Sequence, residues 1–298
     1  MESKGINKHF LLLHFIVFIW GFSPILGKYI TTNAFVIIGY RLAITVFVMF
    51  LYLLITKQNL RCSKTTLLKL ASVGFIILVH WLSFYGAIKA SNVSVTMAAF
   101  STGTLFSAII EPIFFKRKIR LYEIVIGLII IIAILLIFSV EGKYWLGAGL
   151  GVFAALTSSL FGVINGVLVK TVKPAILSFY ELFFALIGFL IYFTFTNTIS
   201  INQFNIDTSS WIGILILSLV CTVYPFIASV NLSKYLSPYT IILTVNLETV
   251  YGIIWAIIFF KENKDVKSTF YIGVIIILFA VFLNAFIKKQ NQKKLLVT

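Results

Sequence analysis

Ten apolar stretches, each close to the length of a bilayer, leave this chain few folds to choose from. They run approximately over Phe10–Ile30, Ala34–Thr56, Thr66–Ile88, Val93–Phe115, Leu121–Val140, Leu146–Val169, Ala175–Thr196, Trp211–Leu232, Tyr239–Phe260 and Phe270–Ile287. About 20 apolar residues at ~1.5 Å each cross the hydrocarbon as one helix. Lipid offers no partner for backbone N–H and C=O groups, so such segments must satisfy themselves as helices. Of 298 residues, 60% are hydrophobic and only 11% charged, which is more apolar surface than a soluble domain could bury. The expected fold is all-α and integral to the membrane, with about ten transmembrane helices joined by short loops.

The charges set an orientation. Lys4, Lys8, the Lys57–Lys69 loop, the Lys116–Arg120 loop, Lys170, Lys173, Lys234 and Lys288–Lys294 fall on one side of such a bundle. Lys28, Lys89, Lys143 and the Lys261–Lys267 loop fall on the other. The richer side is expected to be cytoplasmic and to hold both termini. A net charge of +15 is therefore topological: no basic face on a soluble domain presents itself to nucleic acid. Cys62 lies in a basic loop and Cys221 in a span, so no disulfide framework is expected. The first apolar segment lacks a small-residue cleavage site and reads as a retained helix.

Within this lipid-soluble pattern, Leu236–Glu262 carries an acid, Glu248, near its middle. A charge there costs at least roughly 2.5 kcal/mol. The segment has a twin, Ser91–Lys118, and both end in Phe-Phe-Lys. Ala87–Lys89 precedes the first twin as Leu232–Lys234 precedes the second. Tyr40-Arg41-Leu42 parallels Tyr180-Glu181-Leu182, and Trp20-Gly21 parallels Phe161-Gly162. The copies divide the chain into 1–142 and 143–298. Five spans per copy is an odd number, so the second copy enters the membrane upside down: a 5+5 inverted repeat.

Helical spacing then sorts inner from outer helices. Span one aligns Trp20, Ser23, Pro24, Gly27 and Lys28; span three His80, Ser83 and Ala87. Span four aligns Ser94, Ala98, Ser101 and Ala108, with Thr104 and Glu111 a little around the face. Span six gives Gly147, Gly151, Ser158, Gly162 and Asn165; span eight Ser218, Thr222, Pro225 and Ser229; span nine Thr244, Glu248, Tyr251 and Trp255. These six are expected to enclose an interior. Spans five and ten carry no such stripe and are expected to face lipid.

With Trp20-Gly21 followed by Lys28, Arg41 in span two, and Asn246-Leu247-Glu248 with Glu262 beyond it, the chain resembles the EamA-type family of the drug/metabolite transporter superfamily. The resemblance covers both halves. Three departures stand out. Thr249 follows Glu248 where family members tend to have Pro, Thr104 takes the corresponding place in span four, and the acid usual after span four is replaced by Lys116-Arg117-Lys118. The resemblance implies a multi-pass protein of an inner membrane that exports amino acids or related small metabolites. It also implies a cavity lined by spans one, three, four, six, eight and nine. By the inversion, Arg41 and Glu181 are placed near opposite membrane faces.

Single residues admit two accounts each. Glu248 is either a proton or cationic-group site or a packing hydrogen-bonder. His80 is a switch candidate or, more plainly, a satisfied interior donor. Arg41 is expected to snorkel or pair structurally near the outer face, and Glu181 is read as a structural charge too. Glu111, beside the basic loop, is expected to pair with Lys116 or Arg117. Pro24 and Pro225 bend their spans as static kinks or gates. Gly147/Gly151 and Gly162/Gly166 read as close-packing positions. Ser23, Ser101, Thr104, Asn165 and Thr222 join Glu248 and His80 on the candidate substrate and proton pathway. Trp20, Tyr251 and Trp255 are also placed there, though aromatic stripes commonly serve as core.

An enzyme would need clustered acids, histidine pairs or an activated nucleophile. Asp207 and Asp265 are isolated, and His9, His14 and His80 lack metal-ligand spacing. No catalytic residue, cofactor or metal is expected. The partners are a small-molecule substrate and the bilayer, with a homodimer left open. The expected function is secondary transport by alternating access, open to proton coupling, with export ahead of uptake and a non-transporting membrane receptor or assembly protein as the remaining alternative.

Overall fold

The computed structural model describes residues 2–140, 144–196, 200–264 and 268–295. Lys143, Asp265 and Lys267 from the sequence reading lie outside them. Helices α1 (Glu2–Trp20) and α2 (Ser23–Tyr29) occupy the first span, α3 (Ala34–Ile55) the second and α4 (Lys64–Ala90) the third. Helices α5 (Val93–Phe100) and α6 (Gly103–Phe115) share the fourth, followed by α7 (Leu121–Val140), α8 (Trp145–Leu168) and α9 (Pro174–Thr196). Then come α10 (Thr208–Ser218), a π-turn (Leu219–Val223), α11 (Tyr224–Leu232), α12 (Pro238–Phe260) and α13 (Ser268–Leu295). Eight segments are long and apolar enough to cross a membrane; α7 and α13 add the shorter apolar stretches Leu121–Ala133 and Tyr271–Ala280. This is a multi-pass helical membrane protein.

Polar residues at the loop edges start these helices. Asn33, Ser63, Asn92, Asp207 and Ser237 each accept a backbone N–H three residues on, at the heads of α3, α4, α5, α10 and α12. Each satisfies a donor that the helix itself leaves free. The ends are marked by Lys57, Lys116 and Lys261, the described non-glycine residues with positive φ. A lysine there closes the helix in a left-handed cap and sets its charge against the negative end of the helix dipole.

Three spans expected to be continuous are interrupted. Span one breaks at Gly21–Phe22, where Pro24 in the first turn of α2 has no N–H to extend the ladder. In span four, Ser101 Oγ donates to the Ala98 carbonyl at 2.6 Å and Thr102 Oγ1 to the Ala99 carbonyl at 2.8 Å. Such back-bonding competes with regular helix. Span eight carries its π-turn just ahead of Pro225.

The twin segments meet as an antiparallel pair. Glu262, beyond the end of α12, accepts the backbone N–H groups of Val93 and Ser94 at the start of α5. Glu111, near the end of α6, accepts the N–H of Tyr239 at the start of α12. Between these ends, Asn246 donates to Thr104 and Thr249 Oγ1 donates to the Met97 carbonyl at 3.1 Å. A second reciprocal pair links the halves. Tyr40 in α3 donates to the Phe204 carbonyl at 2.6 Å, and Tyr180 in α9 to the Leu60 carbonyl at 2.8 Å. Helices α7 and α13 pack on one another, with α7 also against α6.

Glycine permits the closest helix approaches. A Cβ at Gly147 would stand 2.3 Å from Ser91 Oγ, and one at Gly74 would stand 2.4 Å from the Glu181 carbonyl. These contacts bring α8 onto the end of α4 and α4 onto α9.

Candidate functional site: a central cavity

One cavity runs between the two halves. Its walls are Trp20 and Ser23 from the first span, Arg41 from α3, His80, Trp81, Phe84 and Tyr85 from α4, and Phe100 from α5. Ser158, Phe161, Gly162 and Asn165 come from α8, and Cys221, Thr222, Phe226, Ser229, Val230 and Ser233 from span eight and its end. Helix α12 adds Pro238, Ile241, Ile242, Val245 and Glu248. The wall thus reaches from mid-span to Ser233 and Pro238, where α11 ends and α12 begins. It does not reach the opposite helix ends. There Lys28 pairs with Glu262 at 2.8 Å, and Lys89 donates to the Ile30 carbonyl.

The six expected helices all line this cavity, and α3 joins them through Arg41. Arg41, expected to snorkel or to pair structurally, does not snorkel: it is 5% exposed and turned into the wall. Its Nε donates to Thr222 Oγ1 at 2.9 Å and its Nη1 to the Tyr85 hydroxyl at 3.0 Å. The guanidinium also lies 3.8 Å from the Trp81 ring centroid. Stacking on an aromatic face and donating in a planar fork are what distinguish arginine from lysine in a low-dielectric site. Thr222 in turn donates to the Leu217 carbonyl, five residues back across the π-turn, at 2.7 Å. Trp20 Nε1 donates to the Cys221 carbonyl in the same turn at 3.1 Å. The irregular backbone of span eight is therefore held from both neighbouring helices.

Glu248 is 6% exposed and opens onto the cavity. Among the described residues it forms no ion pair, while the charge of Arg41 in the same wall acts on it. His80 Nδ1 lies 2.8 Å from the Ala154 carbonyl. A carbonyl can only accept, so Nδ1 carries the proton and Nε2 remains the open nitrogen of the neutral ring.

The other sequence-derived residues divide. Trp20, Ser23, Asn165 and Thr222 line the cavity with Glu248 and His80. Ser101 and Thr104 do not: both are fully buried in the α5–α6 segment, Thr104 under Asn246. Tyr251 packs against Phe18 and over Gly21, and Trp255 stacks on Phe22, so both brace the first span from outside the cavity. Pro24 and Pro225 sit in the first turns of α2 and α11 beside the two breaks. Glu111 pairs with Arg117 at 3.0 Å; Arg117 also pairs with Glu123 at 2.9 Å, a buried acid that sequence reasoning passed over. Glu181 is fully buried and takes a hydrogen bond from Asn165 at 3.2 Å. Tyr85 and Trp81 were missed as well. Their i, i+4 spacing on the face of α4 that meets Arg41 was the available signal.

The model of the EamA-like transporter family matches residues 8–139 and again 145–286. The chain belongs to the EamA-like transporter family. The two matches place a copy of the same unit in each half, and a transporter family is not one of enzymes. A solved structure titled "Crystal structure of protein" shares the fold, with a TM-score of 0.66 at 12% identity over 92% of this chain and 96% of that one. No curated protein matches the chain.

Proposed function

We propose that this EamA-like protein is a secondary transporter that carries small zwitterionic metabolites, amino acids or close relatives, out of the cell by alternating access. In this reading ten helices form a 5+5 inverted repeat in the inner membrane, divided at residues 142 and 143, with both termini cytoplasmic. The two halves rock about the cavity. The observation that carries the proposal is the presence of one cation, Arg41, and one acid, Glu248, in a wall made mostly of aromatic, aliphatic and small residues.

A zwitterion answers both charges. Its carboxylate meets the donors of Arg41, its ammonium meets Glu248, and its side chain lies on Trp20, Trp81, Phe100 and Phe161. A polyanion would leave Glu248 opposed by like charge, which is costly where water is excluded. Glu248 is also the group through which protons would drive the cycle, because a carboxyl that gains and loses a proton changes the charge of the cavity.

Counterflow of radiolabelled metabolites into proteoliposomes tests this. Saturable flux is expected for at least one zwitterion, with none for polyanions, and Arg41→Ala is expected to abolish it. Flux no faster than in empty liposomes across the whole panel, or confined to polyanions, would contradict the reading.

A further inference from the structure

Arg41 and Glu181 stand at matching positions of the two copies, but their surroundings differ. Arg41 is held by Thr222, Tyr85 and Trp81. Glu181, on α9, is 0% exposed and has one hydrogen bond, from Asn165 Nδ2 to Oε2. Its other oxygen, Oε1, is buried with no partner. Two further buried oxygens nearby are equally bare: Asn165 Oδ1 on the facing helix and Ser178 Oγ, one turn earlier on α9. Asn165 and Ser178 are 3% and 0% exposed, so bulk solvent does not cover these oxygens directly.

A carboxylate in such a place needs a positive charge or a proton, and no described residue supplies the charge. Glu181 is in none of the ion pairs among the described residues. On the helices packed against α9, Arg41 and Tyr85 turn to one another, His80 turns to Ala154, Lys89 to Ile30 and Tyr40 to Phe204, while Lys64, Lys69, Tyr52 and Tyr224 are exposed. Leaving a carboxylate unpaired in hydrocarbon costs far more than one missing hydrogen bond. Three orphaned oxygens, one of them a carboxylate's and all from within two helices, make an oxygen-only ligand set of the kind hard cations take. Asn165 also lines the central cavity, which gives the site a route to solvent.

We propose that Glu181, Asn165 and Ser178 form a binding site for a monovalent cation, sodium or a proton, separate from Glu248. Its use in driving transport rests on the transporter reading above; the binding itself does not.

The test is made on purified full-length protein and needs no substrate. Binding of radiolabelled sodium is measured across a pH series, with the infrared carboxylic-acid band recorded in parallel, for wild type, Glu181→Gln and Glu248→Gln. Ser178→Ala and Asn165→Ala serve if Glu181→Gln does not fold. A sodium site predicts saturable binding that survives Glu248→Gln and loses at least about tenfold in affinity in the site variants. A proton site predicts no sodium binding but a titrating acid band that vanishes in Glu181→Gln, persists in Glu248→Gln and shifts in pH midpoint in Ser178→Ala or Asn165→Ala. The proposal is overturned if sodium does not bind and no titrating band belongs to Glu181, or if the Glu181-site variants match wild type in both readouts.

Discussion

The segments α5–α6 and α12 are two copies of one stretch of sequence, yet they make opposite use of their centres. Helix α12 runs unbroken through Glu248 and exposes that carboxyl to the cavity. Its twin breaks at Ser101–Thr102 and resumes at Gly103, the position matching Glu248. There the Gly103 carbonyl accepts a hydrogen bond from Ser159 Oγ of α8 at 2.8 Å. One copy thus sets an acid in the cavity wall, while the other gives up helix regularity at its centre. In the most apolar 18-residue window of each, 83% of the first segment is buried against 44% of the second.

The ends of the pair differ too, and substitutions there are the strongest way to break the comparison. Glu262 is fully buried, accepts Val93 N–H, Ser94 N–H and Ser94 Oγ, and pairs with Lys28. Truncating it to alanine strands all four groups and is expected to cost about 3 kcal/mol, read as lowered thermal stability in detergent. Glu111→Ala at the other end should cost less, about 1–2 kcal/mol. It satisfies one backbone N–H, because Pro238 has none to offer at the position matching Val93, and Arg117 keeps Glu123. If the two variants prove equally destabilising, the ends are equivalent and the asymmetry is confined to the centre.

At the crossing itself, Thr249→Val removes the bond to the Met97 carbonyl with little change of shape. About 0.6 kcal/mol is expected, the usual worth of an interhelical hydrogen bond in a membrane. The smallest effect belongs to an exposed cap. Asp207 is held well below the usual carboxylate range by hydrogen bonds from Ser209, Ser210 and Thr31. Because its folded pKa is depressed, its contribution is fully present above about pH 4 and is lost as pH falls through the folded value. Asp207→Asn should therefore lower stability slightly at neutral pH and not at strong acid, which a melting series against pH would register.

Much of this was legible in the sequence. Apolar length marked the helical segments, eight of which are long enough to span among the described residues, because lipid forces hydrogen-bonded backbone wherever the chain crosses it. Polar stripes at helical spacing found the six cavity helices, since serines and glycines gathered on one face mark the side a helix turns to its neighbours or to an interior rather than to lipid. The departures at Thr104 and Thr249 also made physical sense once seen together: both hydroxyls bond across the antiparallel crossing. Likewise, the acid missing after α6 is replaced by Glu111, a turn and a half earlier, which still reaches the head of α12. Arg41 was not legible. A lone arginine seven residues into a span reads as a snorkeller, and only tertiary contact with Trp81, Tyr85 and Thr222 could turn it inward. Of the three helix breaks, Pro24 and Pro225 marked those in spans one and eight, while the one in span four was hidden because it depends on Ser101 and Thr102 bonding back to the backbone.

The central claim is that Glu248, present on one copy only, makes the cavity sensitive to protons. The direct measurement is substrate flux in proteoliposomes with and without an imposed pH gradient, for wild type and Glu248→Gln. Over one pH unit the gradient should drive net flux in the wild type until the substrate ratio across the membrane reaches about tenfold, the worth of one proton per cycle, and leave Glu248→Gln unaffected. Flux indifferent to the gradient in wild type, or equally responsive in both proteins, would contradict the account.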